Sequence, residues 1–170
     1  VPSKPKKQGE YKPSELRPLK TAEIDYFKTR GIAERTLFDA GVRGCTRWMP
    51  QTKEDTNTIA FQFIKGNKRV NTKYRTGKKE MAQDANAEKC FYNFDVLKAK
   101  PKRLHITEGE IDALTLMEVN FDNVVSVPDG APNPTANNLD NKFSYFTEEA
   151  MKLFDGIKEV VLVTDNDENG

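Results

Sequence analysis

Three acidic residues stand directly after two short apolar stretches of the sequence, and their types suit metal chemistry. Glu108 follows "RLHIT" and precedes Gly109, whereas Asp165 and Asp167 follow "EVVLVT" as an Asp-Asn-Asp triplet. Carboxylates that crowd together repel one another unless cations neutralise them. Oxygen ligands without His or Cys suit Mg²⁺ or Mn²⁺ rather than zinc. We therefore expect these carboxylates to bind a divalent cation.

Helix capping is the structural alternative for acidic residues in this stretch. A helix-period pattern begins right after Gly109, and acidic side chains in the first turn of a helix are favourable in any case. For Glu110 and Asp112 capping explains the sequence as well as a metal site does. For Glu108 together with the Asp165–Asp167 triplet, capping explains less, and the metal site is the favoured interpretation.

A cationic stretch precedes the acidic residues in the chain. Residues 65–79, "KGNKRVNTKYRTGKK", contain seven Lys or Arg and no acidic residue. Lys73 and Arg75 alternate along a predicted strand and so point the same way. With Lys78 and Lys79 they could bind a triphosphate or the phosphates of a nucleic acid. A solvated basic hairpin is the structural alternative.

The net charge of +1 hides a strong asymmetry. Residues 1–103 carry 24 Lys or Arg against 12 Asp or Glu, whereas residues 104–170 carry 3 against 14. The first half suits a polyanion and the second half suits cations. Two solvated faces that attract each other would give the same asymmetry.

Strands and helices alternate after residue 103, which predicts a parallel sheet. The predicted strands are 103–108, 123–128 and 159–164, and the predicted helices fall near 110–119 and 144–155. Ligands of open parallel sheets gather beyond the carboxyl ends of the strands, where all the acidic candidates lie. The loop "SVPDGAPNPTANN" should overlook the same edge.

The first half of the chain has a different pattern. Residues 1–20 are rich in Pro and Lys and predict an extended basic linker or arm rather than a packed element. Two short helices follow, the first with Thr21 as a plausible N-cap and the second ending near Gly41. Residues 58–75 predict a β-hairpin with Gly66 and Asn67 at its tip. Trp48 is expected in the core, and His105 is expected in a core or surface position rather than in catalysis.

Composition sets the remaining bounds. Hydrophobic residues make up 36% and charged residues 31% of the chain, and no apolar run approaches the length of a membrane span. No segment has the pattern of a signal peptide. Cys45 and Cys90 stand alone, which fits neither a disulfide framework nor a four-ligand zinc site and favours a reducing cytoplasm.

The ordered motifs resemble a known family. "ITEGEIDAL" followed by "VTDND" is similar to the Toprim domain shared by bacterial-type primases and type IA and type II topoisomerases. The wider order, from "YFKTRGIAERTLFDAGV" through "NTKYRTGKKE" and "CFYNFDVL", resembles the primase half of the phage primase–helicases related to mitochondrial Twinkle. The resemblance covers roughly residues 20–170. It implies a primase encoded by a bacterium or its phage and working in the bacterial cytoplasm.

The resemblance also implies roles for individual residues. Glu108 matches the catalytic acidic residue of the family, and Asp165 and Asp167 match its metal-binding pair. Asp112 matches an Asp that stands near the metals. Lys73, Arg75 and the following lysines lie where the family contacts nucleotide and template.

Two parts of a full phage primase–helicase are missing from the sequence. Two lone cysteines cannot build the upstream zinc-binding module, and no Gly-x-x-x-x-Gly-Lys-Ser/Thr loop marks a helicase. The helix and strand expected after Asp167 are also missing. We therefore expect a fragment that contains the catalytic core, works with a fused or separate replicative helicase and has lost its zinc-binding module.

The sequence thus predicts an α/β protein: a linker at 1–20, an α+β basic subdomain at 21–100 and a Toprim-like parallel-sheet subdomain at 101–170. The predicted activity is DNA primase activity, the Mg²⁺- or Mn²⁺-dependent joining of ribonucleoside triphosphates into short RNA primers on single-stranded DNA. A Toprim nuclease and a non-catalytic single-stranded DNA-binding or helicase-docking module are the alternatives.

Overall fold

A computed structural model describes residues 9–131 and 143–166 of the chain. Its elements, in chain order, are α1 (Thr21–Lys28), α2 (Glu34–Asp39), β1 (Arg43–Met49), β2 (Glu54–Lys65), β3 (Lys68–Arg75), β4 (Met81–Gln83), a 3₁₀ helix (Phe94–Ala99), β5 (Arg103–Thr107), α3 (Glu110–Glu118), β6 (Val124–Ser126), α4 (Glu148–Phe154) and β7 (Glu159–Val163). The mixed architecture confirms the predicted α/β class.

The first sheet is antiparallel, with strand order β1-β2-β3-β4. Its β2–β3 hairpin turns at Gly66 and Asn67, whose φ values of 59° and 64° are both positive, as a tight hairpin turn requires. The predicted hairpin and its tip are therefore confirmed. Ile59, Phe61 and Phe63 alternate along β2 and lie in the hydrophobic core, as their period-two spacing predicts.

The second sheet is parallel, with strand order β6-β5-β7. The three strands and the two helices expected after residue 103 are all present, with slightly shorter bounds. Helix α4 begins later than predicted because Thr147 is its N-cap, accepting a 3.2 Å hydrogen bond from the amide of Ala150. With β5 in the centre, the carboxyl ends of all three strands meet at one edge.

One hydrophobic core joins the two sheets. It contains residues of α1 and β2 together with residues of β5, α3 and β6. Phe91 and Tyr92 lie in the same cluster, and the Tyr92 amide donates to the Ser126 carbonyl at 2.9 Å. Phe91 makes edge-on ring contacts with Tyr145 and Phe146. The antiparallel and parallel sheets are thus packed as one unit, which fixes β3 relative to the strand ends.

Residues 9–20, the described part of the predicted linker or arm, form no helix or strand, and some of them contact the antiparallel sheet. Arg17 pairs with Gly44 through two backbone hydrogen bonds of 2.8 and 2.9 Å. Leu16 packs on the outer face of the antiparallel sheet against Ala60 and Tyr74. The segment therefore covers a sheet face that would otherwise expose apolar surface, a tertiary effect that local composition does not reveal.

Other expectations at single residues had mixed outcomes. Trp48 is 55% exposed rather than in the core, because it lies near the end of β1, where nothing covers it among the described residues. His105 is partly buried against Phe121, in agreement with a structural role. The N-cap of α1 is Lys20 rather than Thr21, and its amide donates to Glu23 at 2.8 Å. No helix in the described ranges is long and apolar enough to cross a membrane.

The ion pair of Arg17 and Glu23 gives a prediction about stability. Burial acts to raise the pKa of Glu23, but hydrogen bonds from Arg17 and from the Lys20 amide together lower it below its ordinary value. A lowered folded-state pKa stabilises the fold above the unfolded pKa, and this contribution is lost as the pH falls through the folded pKa. We expect Glu23→Gln to lower the free energy of unfolding by about 1 kcal/mol at pH 7 and by much less at pH 3, measured by urea denaturation.

Asp25 offers the matched control. Its side chain and that of its partner Lys28 are 59% and 58% exposed, and exposed pairs contribute little. Asp25→Asn should change the free energy of unfolding by less than about 0.5 kcal/mol at either pH. An equal effect of both substitutions would show that Arg17 and Glu23 do not anchor the arm.

Candidate active site at the strand ends

Glu108 stands at the carboxyl end of the central strand, held by both neighbouring loops. Its backbone amide donates to the Val163 carbonyl of β7 at 3.3 Å. One carboxylate oxygen accepts from the amide of Ala131, in the loop after β6, and the other accepts from the amide of Asp165, after β7, both at 3.2 Å. The loops therefore orient this carboxylate from both sides.

Gly109 leaves room for the Asp112 side chain against its own backbone. A Cβ atom at residue 109 would lie 2.7 Å from a carboxylate oxygen of Asp112, closer than real Cβ atoms come. Gly109 is the N-cap of α3, and its backbone acts to lower the pKa of Asp112 in the first turn of the helix. Asp112 therefore lies in the first turn of α3, the position that the capping alternative assigns to it.

Electrostatic repulsion links the acidic residues. The pKa of Asp112 is raised by burial first and then by the charges of Asp165 and Glu108, whereas Arg30 acts to lower it. Of the predicted metal ligands, Glu108 and Asp165 are near each other, since the Asp165 amide donates to Glu108 at 3.2 Å, and the charges of both act on Asp112. The remaining predicted ligand, Asp167, lies outside the described residues.

The donor set fits a hard divalent cation, since it consists of carboxylate oxygens whose charges repel one another. Within residues 9–131 and 143–166, no group of three or more His, Cys, Asp or Glu side chains is already arranged to hold a metal ion. A site would therefore need Asp167 or a closer approach of the described carboxylates. The chemistry of the residues supports a metal, and their described arrangement does not show one.

Glu110 turns away from these carboxylates and contacts the antiparallel sheet. Its side chain is buried and accepts a 2.9 Å hydrogen bond from the Lys73 ammonium of β3. Burial raises the pKa of Glu110, and the charge of Lys73 opposes this shift. Lys73 also donates to the Pro128 carbonyl at 2.9 Å. This contact brings β3 next to the strand-end edge.

The other predicted cations differ in their surroundings. Arg75 is only 6% exposed, and its guanidinium lies 5.2 Å from the centre of the Tyr26 ring, which Arg30 approaches at the same distance. Among the described residues, Arg75 forms no ion pair or side-chain hydrogen bond. Lys78 and Lys79 are exposed in the turn after β3. The structure thus separates the predicted set into two buried and two exposed cations.

Lys73 and Arg75 are buried, which the sequence pattern did not predict. Alternation along β3 correctly placed both residues on one face of the strand. Residues 9–20 cover the opposite face at Tyr74, and Glu110 of α3 contacts the face with Lys73, so both faces are buried. The cavity beside Glu108, of about 270 Å³, was also missed. Its lining includes the aromatic residues of "FSYF", whose density in the sequence was the available signal.

Oppositely charged halves of the chain also contact each other. Lys73 pairs with Glu110 at 2.9 Å. Lys65 pairs with Glu149 at 2.6 Å, and Lys89 pairs with Asp129 at 2.7 Å. Some charges of the basic half therefore pair with charges of the acidic half, as the alternative interpretation of two attracting faces predicts.

Comparison with known proteins identifies a family for the second half of the chain. Residues 102–170 match the Toprim domain. This range contains the whole parallel sheet and all the acidic candidates.

Curated relatives extend the match into the first half. The chain is 31% identical over 161 residues to the "Primase homolog protein" of Arabidopsis thaliana, covering 91% of this chain and 45% of the relative. It is 37% identical over 118 residues to the "Twinkle homolog protein, chloroplastic/mitochondrial" of the same plant, covering 69% of this chain and 16% of the relative. The chain thus spans less than half the length of these relatives.

A solved structure supports the fold over nearly the whole chain. The primase fragment of the bacteriophage T7 primase-helicase protein superposes with a TM-score of 0.67 at 21% identity, covering 96% of this chain and 65% of the other. At this identity the likeness establishes the fold alone. It includes the antiparallel sheet as well as the Toprim domain, so the arrangement of both sheets is shared.

Proposed function

We propose that this chain, whose residues 102–170 match the Toprim domain and which is 31% identical to a primase homologue, is the catalytic core of a DNA primase. The proposed reaction is the template-directed joining of ribonucleoside triphosphates into short RNA primers on single-stranded DNA. The proposed activity is that of a nucleotidyltransferase.

The observation that carries the proposal is the setting of Glu108. A carboxylate at the end of a central parallel strand is oriented by amides of Ala131 and Asp165, from the loops on both sides. Asp112 lies beside it, and β3 with its cations lies across the edge. Acidic groups beside cationic groups suit a reaction in which metal-assisted chemistry acts on phosphates.

Glu108 is the proposed catalytic residue. Its carboxylate would accept the proton of the 3′-hydroxyl, directly or through a water molecule, as that oxygen attacks the α-phosphate and the bond to the leaving pyrophosphate breaks. The two amides fix its orientation, so that little reorganisation is needed when a substrate binds. Glu108, Asp112, Asp165 and Asp167 are the proposed ligands of Mg²⁺ or Mn²⁺. When bound, such an ion supplies charge neutralisation at the α-phosphate and helps to activate the hydroxyl.

Arg75, Lys78 and Lys79 are proposed to bind nucleotide or template phosphates. A guanidinium of a nearly buried residue that has no anionic partner among the described residues suits a phosphate ligand. Arg75 has this environment, since within the described ranges its charge lies over the Tyr26 ring and forms no ion pair. The exposed lysines suit a phosphate backbone that passes along the surface. Glu110 already neutralises the charge of Lys73, which weakens the case for a phosphate contact there. A contact between Lys73 and phosphate stays a prediction.

Two other functions compete with primer synthesis. A Toprim nuclease would use the same carboxylates for hydrolysis, and a non-catalytic module would only bind single-stranded DNA or dock a helicase. A primer-synthesis assay with radiolabelled ribonucleotides on single-stranded DNA separates all three: oligoribonucleotides, degraded DNA and unchanged DNA are the respective outcomes. Primers made by the wild type and not by a Glu108 variant would establish the primase.

The partners beyond the template and the nucleotides are also proposals. We propose that a replicative helicase, fused or separate, works with this core, and that a zinc-binding module outside this chain reads the template. A setting in the bacterial cytoplasm, with the protein encoded by the bacterium or its phage, stays a prediction from the sequence. Testing for helicase activity and template choice in the full-length protein would address these points.

The exposed lysines give a prediction about salt dependence. Each phosphate that a cation neutralises on a single strand contributes a slope of about −0.7 to the plot of log affinity against log salt. Replacing Lys78 and Lys79 together by Gln should therefore weaken binding to single-stranded DNA and make the slope shallower by about 1.4. Fluorescence anisotropy at several salt concentrations measures both effects.

Lys152 and Lys158 are the matched control, since both are exposed lysines of the acidic half. Their replacement by Gln should leave affinity and slope nearly unchanged. Equal losses for the two double variants would mean that the turn after β3 does not lie on the template path.

A further inference from the structure

We infer that Lys73 and Glu110 form a positioning pair, which holds the loop after β6 so that its backbone can orient Glu108. The inference rests on the proposed function, because that function gives the Glu108 carboxylate its catalytic role. The contacts of Lys73 and Glu110 themselves do not depend on it. It gives Lys73 a role different from the phosphate contact that the sequence predicts.

Lys73 joins three parts of the molecule through a single ammonium group. It extends from β3 and donates to the Glu110 carboxylate on α3 and to the Pro128 carbonyl in the loop after β6, each at 2.9 Å. Lys73 is 8% exposed and Glu110 is 3% exposed, so water competes little for these bonds. The loop that accepts from Lys73 reaches Ala131, whose amide holds Glu108.

A second contact holds the same loop. The Gln83 amide group of β4 donates to the Asp129 carboxylate at 2.9 Å and lies 3.4 Å from the Pro128 carbonyl. Asn71 of β3 donates to Gln83 at 2.7 Å and so fixes the orientation of the Gln83 amide. Lys73 and Gln83 of the antiparallel sheet therefore both hydrogen-bond to residues 128–129, which lie two or three residues before Ala131.

The energetics of buried ion pairs favour a positioning role for Lys73 and Glu110 over a role in stability. A buried ion pair adds little stability compared with apolar residues of similar size, whereas loss of one partner leaves an uncompensated buried charge. An ammonium group that donates to two acceptors in fixed directions can hold a loop in place, which apolar residues could not do. With two of its donors occupied and its charge neutralised, the ammonium is also poorly placed to attract a phosphate.

The test is a double-mutant cycle with Lys73→Met, Glu110→Gln and the combined variant. Hydrogen exchange at the Ala131 amide, followed by NMR, reports on the loop without any need for activity. We expect faster Ala131 exchange in each variant and a kcat for primer synthesis reduced by roughly 10–100-fold, with KM for nucleotide within about twofold. The combined variant should be no slower than either single variant, because the two residues act through one contact.

Lys65→Met is the matched control. Lys65 also pairs with an acidic residue of the second half, Glu149, but it touches neither Pro128 nor Ala131. Its replacement should leave Ala131 exchange and kcat unchanged. A stability measurement on every variant separates loss of positioning from loss of the fold.

A different pattern would overturn the inference. Unchanged Ala131 exchange in Lys73→Met, with a raised KM for nucleotide and effects that add in the combined variant, would assign Lys73 to phosphate binding. If the wild-type protein makes no primers, the proposed function fails, while the exchange data still decide whether the pair positions the loop.

Discussion

Glu108→Gln is expected to slow primer synthesis by roughly 10²–10⁴-fold, the usual cost of losing an acid–base group. The amide keeps the shape of the side chain but removes its negative charge and its basicity. Because one of its positions becomes an NH₂ group, it also loses an acceptor for the amide of Ala131 or Asp165. Steady-state incorporation of radiolabelled ribonucleotides on single-stranded DNA measures the loss.

Folding should be little affected, since Glu108 lies at a strand end and not in the core. The free energy of unfolding, from urea denaturation, should stay within about 1 kcal/mol of the wild type. Glu148→Gln serves as the control, because Glu148 is an exposed acidic residue at the start of another helix. Near-normal turnover in the Glu108 variant would reduce this residue to one that shapes the turn before α3.

The acidic site could be predicted from the sequence because its geometry depends on local pattern. Strands 103–107 and 159–163 have short apolar runs, and each run ends at an acidic residue. Parallel strands bring their carboxyl ends to one edge, so Glu108 and Asp165 meet although 57 residues separate them. No detailed tertiary contact had to be known to reach this result.

The cationic side was predicted less well because it depends on long-range packing. Alternation along β3 placed Lys73 and Arg75 on one face, but it could not show that Glu110, 37 residues later, would take the Lys73 charge. The same limit applies to the arm, since Leu16 packs on Tyr74 only after β1, β2 and β3 have formed a sheet. Trp48 was placed in the core on its residue type alone, without regard to the strand end that exposes it.

Loss of the two carboxylates of Asp165 and Asp167 should abolish divalent-cation binding. In Asp165→Asn/Asp167→Asn the ligands that remain near Glu108 carry less charge, and hard cations need charged oxygen ligands to displace their water. We expect calorimetric titration with Mn²⁺ to show binding in the wild type and none in the double variant. Unchanged Mn²⁺ affinity would place the metal elsewhere.

A stability measurement makes the same test independent of catalysis. A ligand that binds only the folded state stabilises it by about 2.7 kcal/mol at a concentration one hundred times its Kd. Mg²⁺ should therefore raise the free energy of unfolding of the wild type and not that of the double variant. The control, Asp122→Asn/Asp155→Asn, removes two exposed carboxylates from the same half of the chain and should respond to Mg²⁺ as the wild type does. If the control lost the response as well, the effect of Mg²⁺ would come from general screening of the acidic half, and the strand-end carboxylates would have no special affinity for the ion.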